Sequence, residues 1–109
     1  MNLPLTPLLA RFVESMNAHD PAAYLPCFAS DAVVEDEGHT YRGPAEIKAW
    51  IEAAFVKYRP VLAVTAVSYS ETGAVLSGPV SGIFDGSPVV LHYHLGLKDE
   101  RITRLKIAP

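Results

Sequence analysis

Along the first part of the chain the apolar positions recur with a helical period. Leu5, Leu8, Leu9, Phe12, Val13 and Met16 fall on one side, with Arg11, Glu14, Ser15 and Asn17 on the other, so the spacing predicts an amphipathic helix over residues 6–17. The His19-Asp20 pair breaks that pattern. Asp20 followed by Pro21 is a helix start, because the aspartate accepts from free backbone amides and proline at the first helical position lacks only an amide that would go unpaired. A short second helix carrying Tyr24, Leu25 and Phe28 is expected there, its length limited by Pro26. Gly43-Pro44 opens a third helix, whose Ile47, Trp50, Ile51, Ala54 and Phe55 sit at i, i+3, i+4, i+7 and i+8 before Pro60 closes it.

The remaining segments read as strands. Residues 32–35 form a short apolar run that ends on Glu35, Asp36 and Glu37, with a turn or short return strand over 39–43. After Pro60 the texture changes to strands over 61–69, 74–84, 88–97 and 101–107, separated by turns at Glu71-Thr72-Gly73, Asp85-Gly86 and Lys98-Asp99-Glu100. Helices first and an antiparallel meander last predict an α+β fold of one domain over residues 1–109, with helices covering one face of a curved sheet. Alternation assigns the faces. Val89, Leu91, Tyr93, Leu95 and Leu97 point to the helices, while Val90, His92, His94 and Gly96 point away. In the last strand Thr103, Leu105 and Ile107 are read as inward and Arg104 and Lys106 as outward.

Composition narrows the function classes. A chain of 109 residues, half of them apolar, can bury a core without staples or metals. A net charge of −3 with nine Lys and Arg leaves no footprint for a polyanion, and the one basic cluster, Lys98, Arg101, Arg104 and Lys106, alternates with core residues, so nucleic acid is not an expected partner. The single Cys27 cannot pair internally and is read as core filling. No Cys and His spacing resembles a zinc site, and a reducing compartment fits. The opening MNLPLTPLLARFVESM has no basic leader and two prolines in its apolar run, and no stretch is long and apolar enough to span a membrane. A soluble cytoplasmic protein is the expectation.

The ordered set RFVESMNAHDPAAYLPCFASDAVVEDEG, YRGPAEIKAWI and HYHLGLKDERITRLKI resembles the SnoaL-like branch of the nuclear transport factor 2-like superfamily, close in pattern to ketosteroid isomerases, over essentially the whole chain. The resemblance implies a cone-shaped fold, three N-terminal helices packed on a strongly curved antiparallel sheet, with an apolar pocket at the open end and a homodimer through the outer sheet face. It implies a general-base aspartate at the end of the strand after the second helix, here Asp36. The isomerases also hold the developing enolate oxygen with a tyrosine of the first helix and an acid on the penultimate strand. The matching positions here are Phe12 and Tyr93, so both donors are changed. SnoaL-type cyclases place their acid/base aspartate near the position of Tyr93, which removes that residue as well.

Two readings therefore stand. In one, an apolar pocket lined by Phe12, Tyr24, Phe28, Trp50, Phe55 and Leu91 holds a small hydrophobic carbonyl compound, Asp36 shuttles a proton, Tyr93 donates to the substrate oxygen, and no cofactor is needed. Against it, Asp36 is an ordinary solvated strand-end acid, Tyr93 a core tyrosine, and the domain a non-catalytic binding or dimerisation module. Glu35 and Glu37 are expected to be exposed, and Asp31 to cap the turn after the second helix. His92 and His94 share a strand face, but it is the outer one and no third ligand accompanies them, so no metal site is expected.

Overall fold

A computed structural model describes residues 4–109; residues 1–3, the start of the stretch read above for a leader, lie outside it. Helix α1 (Pro7–Asn17) begins where the Thr6 hydroxyl accepts from the Leu9 amide, and it buries Leu8, Leu9, Phe12 and Met16. Helix α2 (Pro21–Tyr24) starts at Asp20, whose side chain accepts from the Ala23 amide. It is shorter than the expected helix. Pro26 cannot donate a helical hydrogen bond, the chain tightens into a 3₁₀ turn over Leu25–Cys27, and Phe28 already belongs to the next strand. Helix α3 (Gly43–Tyr58) is entered through Gly43 at φ +79°, a conformation glycine adopts without strain. Glu46 reaches back to accept from the Arg42 amide at 2.8 Å, satisfying one orphan donor of the first turn.

The strands are β1 (Phe28–Asp36), β2 (His39–Arg42), β3 (Val61–Leu62), β4 (Ala66–Tyr69), β5 (Gly73–Ser81), β6 (Val89–Lys98) and β7 (Arg101–Ala108). They form one sheet in the order β2-β1-β7-β6-β5-β3, with β4 also paired to β5. The fold is the expected α+β arrangement of three helices on an open, curved sheet. One pair breaks the antiparallel pattern: β1 runs parallel to β7, bringing the first long strand beside the last.

Three local differences from the sequence pattern have identifiable causes. The run 61–69 is two strands, because its pairing with β5 steps from Leu62↔Val80 to Ala66↔Ser77, three residues facing two, and Gly78 there lies against the Ala63 carbonyl with no space for a Cβ. Asp31 lies inside β1, exposed, in a segment whose register against β7 shifts between Phe28 and Val33, and it caps nothing. In β7 the pairing steps from Gly96↔Arg104 to Leu97↔Ile102, so Thr103 is an extra residue on its strand. The bulge reverses the alternation: Ile102, not Thr103, is the fully buried residue, and Thr103 turns to the outer face beside Gly96.

The core lies between the helices and the inner sheet face. Phe12 is enclosed by the rings of Tyr24, Phe28 and Tyr93 at centroid separations of 5.2, 6.3 and 6.2 Å. Leu76, Leu95, Ile102 and Leu105 close it from the sheet. Cys27 is buried, as the sequence suggested. At the free edge of β3, Asn17 of α1 uses its side-chain amide as a strand would, donating to the Leu62 carbonyl at 3.0 Å and accepting from the Leu62 amide at 2.8 Å. His19 Nε2 lies 2.8 Å from the Pro60 carbonyl next to it. No helix among the described residues is long and apolar enough to cross a membrane.

Candidate functional site

A cavity of about 540 Å³ opens between α3, the end of β1, the strands β5 to β7 and the loop over residues 82–88. Each wall follows from local sequence. The i, i+3, i+4 stripe of α3 that carries Trp50, Ile51, Ala54 and Phe55 extends by one more step to Tyr58. The inward positions of β6 bring Leu91 and Tyr93. Tyr24 comes from α2, and the 82–88 loop places Phe84 and Asp85 at the mouth, with the Phe84 ring edge-on to Tyr58 at 6.2 Å. That loop is tied down where the Ile83 amide donates to the Tyr58 carbonyl and the Gly82 amide to the Ser87 hydroxyl.

Of the residues singled out from sequence, Tyr24, Asp36, Trp50, Phe55, Leu91 and Tyr93 all border this cavity. Phe12 and Phe28 do not. Phe12 lies behind Tyr24 and Tyr93 with no exposed surface, and Phe28 faces a separate shallow depression with Leu25, Ile47 and Lys48. Conversely, Tyr58, Phe84, Asp85 and Val89 contribute walls that sequence reading did not supply. Tyr58 was within reach of it, since it lies three residues beyond Phe55 on the same helical stripe. Phe84 was not, because it was read as the end of a strand that in fact stops at Ser81.

Asp36, the last residue of β1, is half-buried, and its Oδ2 accepts from the indole Nε1–H of Trp50 at 3.2 Å. The Trp50 ring in turn stacks on Tyr41 of β2 at 5.7 Å, which fixes the indole for that bond. Burial raises the Asp36 carboxyl above its ordinary value. The Trp50 hydrogen bond opposes the rise, the adjacent Glu37 charge adds to it, and the Glu37 amide and His39 oppose it more weakly. Burial, then the Asp36 charge, also pushes the Tyr93 phenol up; Tyr24 is raised by burial first and then by Tyr93, Cys27 and Asp36. Both tyrosines are thus held protonated as donors. Neither hydroxyl bonds another described residue, yet no buried polar side-chain atom among the described residues is left unpaired. Tyr24 has no exposed surface and Tyr93 only 3%, and both residues line the cavity.

The direction of the Asp36 shift carries a stability prediction. A carboxyl whose folded pKa lies above its unfolded value binds its proton more tightly in the native state, so ionising it costs folding free energy at every pH above the folded pKa. Asp36→Asn keeps an acceptor for Trp50 and removes that cost. The variant is expected to melt at a higher temperature than the parent at pH 7, with the difference disappearing as pH falls through the folded and then the unfolded pKa. Thermal unfolding followed between pH 3 and 8 checks it, and a variant less stable at neutral pH contradicts the assigned shift.

Elsewhere the inventory is sparse. On the outer sheet face Ser77 Oγ and His92 Nδ1 are 2.7 Å apart and the His92 and His94 rings 6.4 Å apart, and among the described residues no three Cys, His, Asp or Glu converge on a metal-sized space. Glu35, half-exposed, pairs with Arg104 across β1 and β7 at 3.0 Å.

Comparison with solved structures places this geometry. The chain is 36% identical to a "putative polyketide cyclase" of Sinorhizobium meliloti, with a TM-score of 0.91 and 95% of each chain covered. A protein of Pseudomonas putida with the same description superposes with a TM-score of 0.83 at 20% identity, covering 99% of this chain and 92% of that one. A hypothetical protein of Catenulispora acidiphila with a ketosteroid isomerase-like fold, solved in complex with trimethylamine, gives a TM-score of 0.83 at 18% identity, covering 96% of this chain and 87% of that one. No protein of curated function matches the chain. With residues 9–105 matching the SnoaL-like domain, and with helices, sheet and cavity arranged as described, the chain belongs to the SnoaL-like family.

Proposed function

We propose that the cavity binds a small hydrophobic carbonyl compound and that Asp36 moves a proton on it, as an isomerase, cyclase or lyase would. The observation that carries this reading is the placement of Asp36: a half-buried carboxyl with a raised pKa, oriented by the Trp50 indole, on a cavity that the protonated Tyr24 and Tyr93 also line. A base needs a pKa moved towards the working pH, and it needs a donor for the charge that develops on the carbonyl oxygen. Tyr93 is the donor assigned here, in place of the acid that ketosteroid isomerases carry at that position. The C–H bond next to the carbonyl breaks, its electron pair becomes the enolate, the proton passes to an Asp36 carboxylate oxygen, and it is returned at carbon. The 36% identical Sinorhizobium protein, described as a polyketide cyclase, supports carbonyl chemistry of this class.

The fully enclosed Phe12, where a first-helix donor would stand, favours the second reading, a module that binds the same compounds without turning them over. Exchange in D₂O separates the two. With 4-tert-butylacetophenone as probe, the protein is expected to wash out the acetyl methyl signal in proton NMR faster than buffer. Asp36→Asn should slow that exchange by about 10²–10⁴-fold, the usual contribution of a general base. Exchange no faster than buffer, with the ketone still bound, establishes the binding module instead.

A further inference from the structure

The cavity is charged in one sense only. Asp36, Glu37 and Asp85 border it, and among its lining residues there is no lysine, arginine or histidine. Lys57 lies 5.0 Å from the Tyr58 ring centre but lines the neighbouring groove, and His39 acts on Asp36 from outside the wall. Six aromatic side chains line the cavity among the aliphatic ones, and four of these, Tyr24, Trp50, Phe55 and Tyr93, are buried. Aromatic faces carry negative potential and attract organic cations, most strongly where water is excluded. Tyr24 and Tyr93, 0% and 3% exposed, are among these lining rings, and their hydroxyls bond no other described residue.

We infer that the compound this cavity takes is cationic: a ketone that also bears a tertiary or quaternary ammonium group. The inference rests on the carbonyl reading above and sharpens it to a substrate class. When Asp36 accepts the proton, negative charge leaves a carboxylate held by Trp50 and settles on the substrate oxygen, where only phenol hydroxyls receive it. Glu37 and Asp85 stand nearby, and the wall offers no basic side chain. A substrate that brings its own ammonium supplies that counter-charge in the ground state and in the enolate alike. A neutral ketone forms its enolate against two carboxylates, and an anionic ketone is repelled before it binds.

Two isosteric probes test this: the 4-acetyl-N,N,N-trimethylanilinium ion and 4-tert-butylacetophenone share shape and carbonyl and differ in charge. Trp50 is the only tryptophan, so its indole N–H resonance reports binding without assignment. The cation is expected to bind about tenfold tighter than the neutral ketone, the scale of one desolvated cation–π and ion contact. In the double variant Glu37→Gln with Asp85→Asn, both exposed positions, that ratio should fall at least about threefold as two of the three charges go. Equal or tighter binding of the neutral ketone, or a ratio the double variant leaves unchanged, overturns the inference and leaves the carbonyl reading in place. If neither probe shifts the indole resonance at millimolar concentration, the carbonyl reading falls and takes the inference with it.

Discussion

Replacing Phe12 by alanine is expected to remove about 3–5 kcal/mol of folding stability, the range measured for large aromatic truncations in well-packed cores. Phe12 has no exposed surface and is held by three rings, those of Tyr24, Phe28 and Tyr93. These neighbours come from α2, β1 and β6, three elements that cannot all collapse towards one hole without losing their own register. A domain of this size has about 5–15 kcal/mol in total, so the loss would consume a large share of it. Urea denaturation reads the effect as a lower midpoint at an unchanged slope. Val56→Ala provides the contrast. Val56 sits on the exposed side of α3, 78% accessible, and its truncation should change stability by less than about 0.5 kcal/mol. A Phe12→Ala loss no larger than that control would mean the ring cluster is not the centre of the core.

The second large effect concerns one amide. Asn17 satisfies both backbone groups on the free side of Leu62, a residue 2% exposed at the sheet edge. Asn17→Ala leaves a buried N–H and a buried C=O without partners, at about 1–3 kcal/mol for each orphaned group. A loss of about 2–4 kcal/mol is expected, together with faster amide exchange at Leu62. Asn17→Asp is the informative companion. It retains an acceptor for the Leu62 amide but sets a carboxylate oxygen against the Leu62 carbonyl, so it should recover little of the loss at neutral pH. If alanine at position 17 is tolerated within about 0.5 kcal/mol, water has taken over the edge and the amide is not holding β3 to α1.

The helices were legible because their signals are local. The apolar spacing from Leu5 to Met16, the Asp20-Pro21 and Gly43-Pro44 starts, and the stripe from Ile47 to Phe55 lie within a few residues of the structure they specify. The strand faces were legible for the same reason wherever one residue fills each rung, as in β6. They failed where a rung holds two: nothing in RITRLKIA marks Thr103 as the extra residue, because the step is set by pairing with β6, and one inserted position exchanges Thr103 for Ile102 in the core. The break in 61–69 was hidden likewise, since the extra residue is set by pairing with β5. At the site, Asp36, Tyr24, Trp50, Phe55, Leu91 and Tyr93 were recoverable from motif and face. Phe12 and Phe28 were misassigned because aromatic character does not distinguish a ring that lines a cavity from one that seals its back. Phe84 and Asp85 reach the mouth through a loop whose path depends on its anchor at Tyr58.

The parallel pairing of β1 with β7 has a consequence for how the molecule is made. Glu35 and Arg104, which join the two strands, are 69 positions apart, so one long edge of β1 has no partner until β7 has been synthesised. The helices and the β1–β2 hairpin can form from nearby residues, whereas the β1–β7 ladder must close a loop spanning most of the sequence, the kind of high contact order that slows folding. Asp36 ends that strand. A nascent chain therefore carries Asp36 unplaced until β7 has left the ribosome, and the cavity is among the last features to take shape.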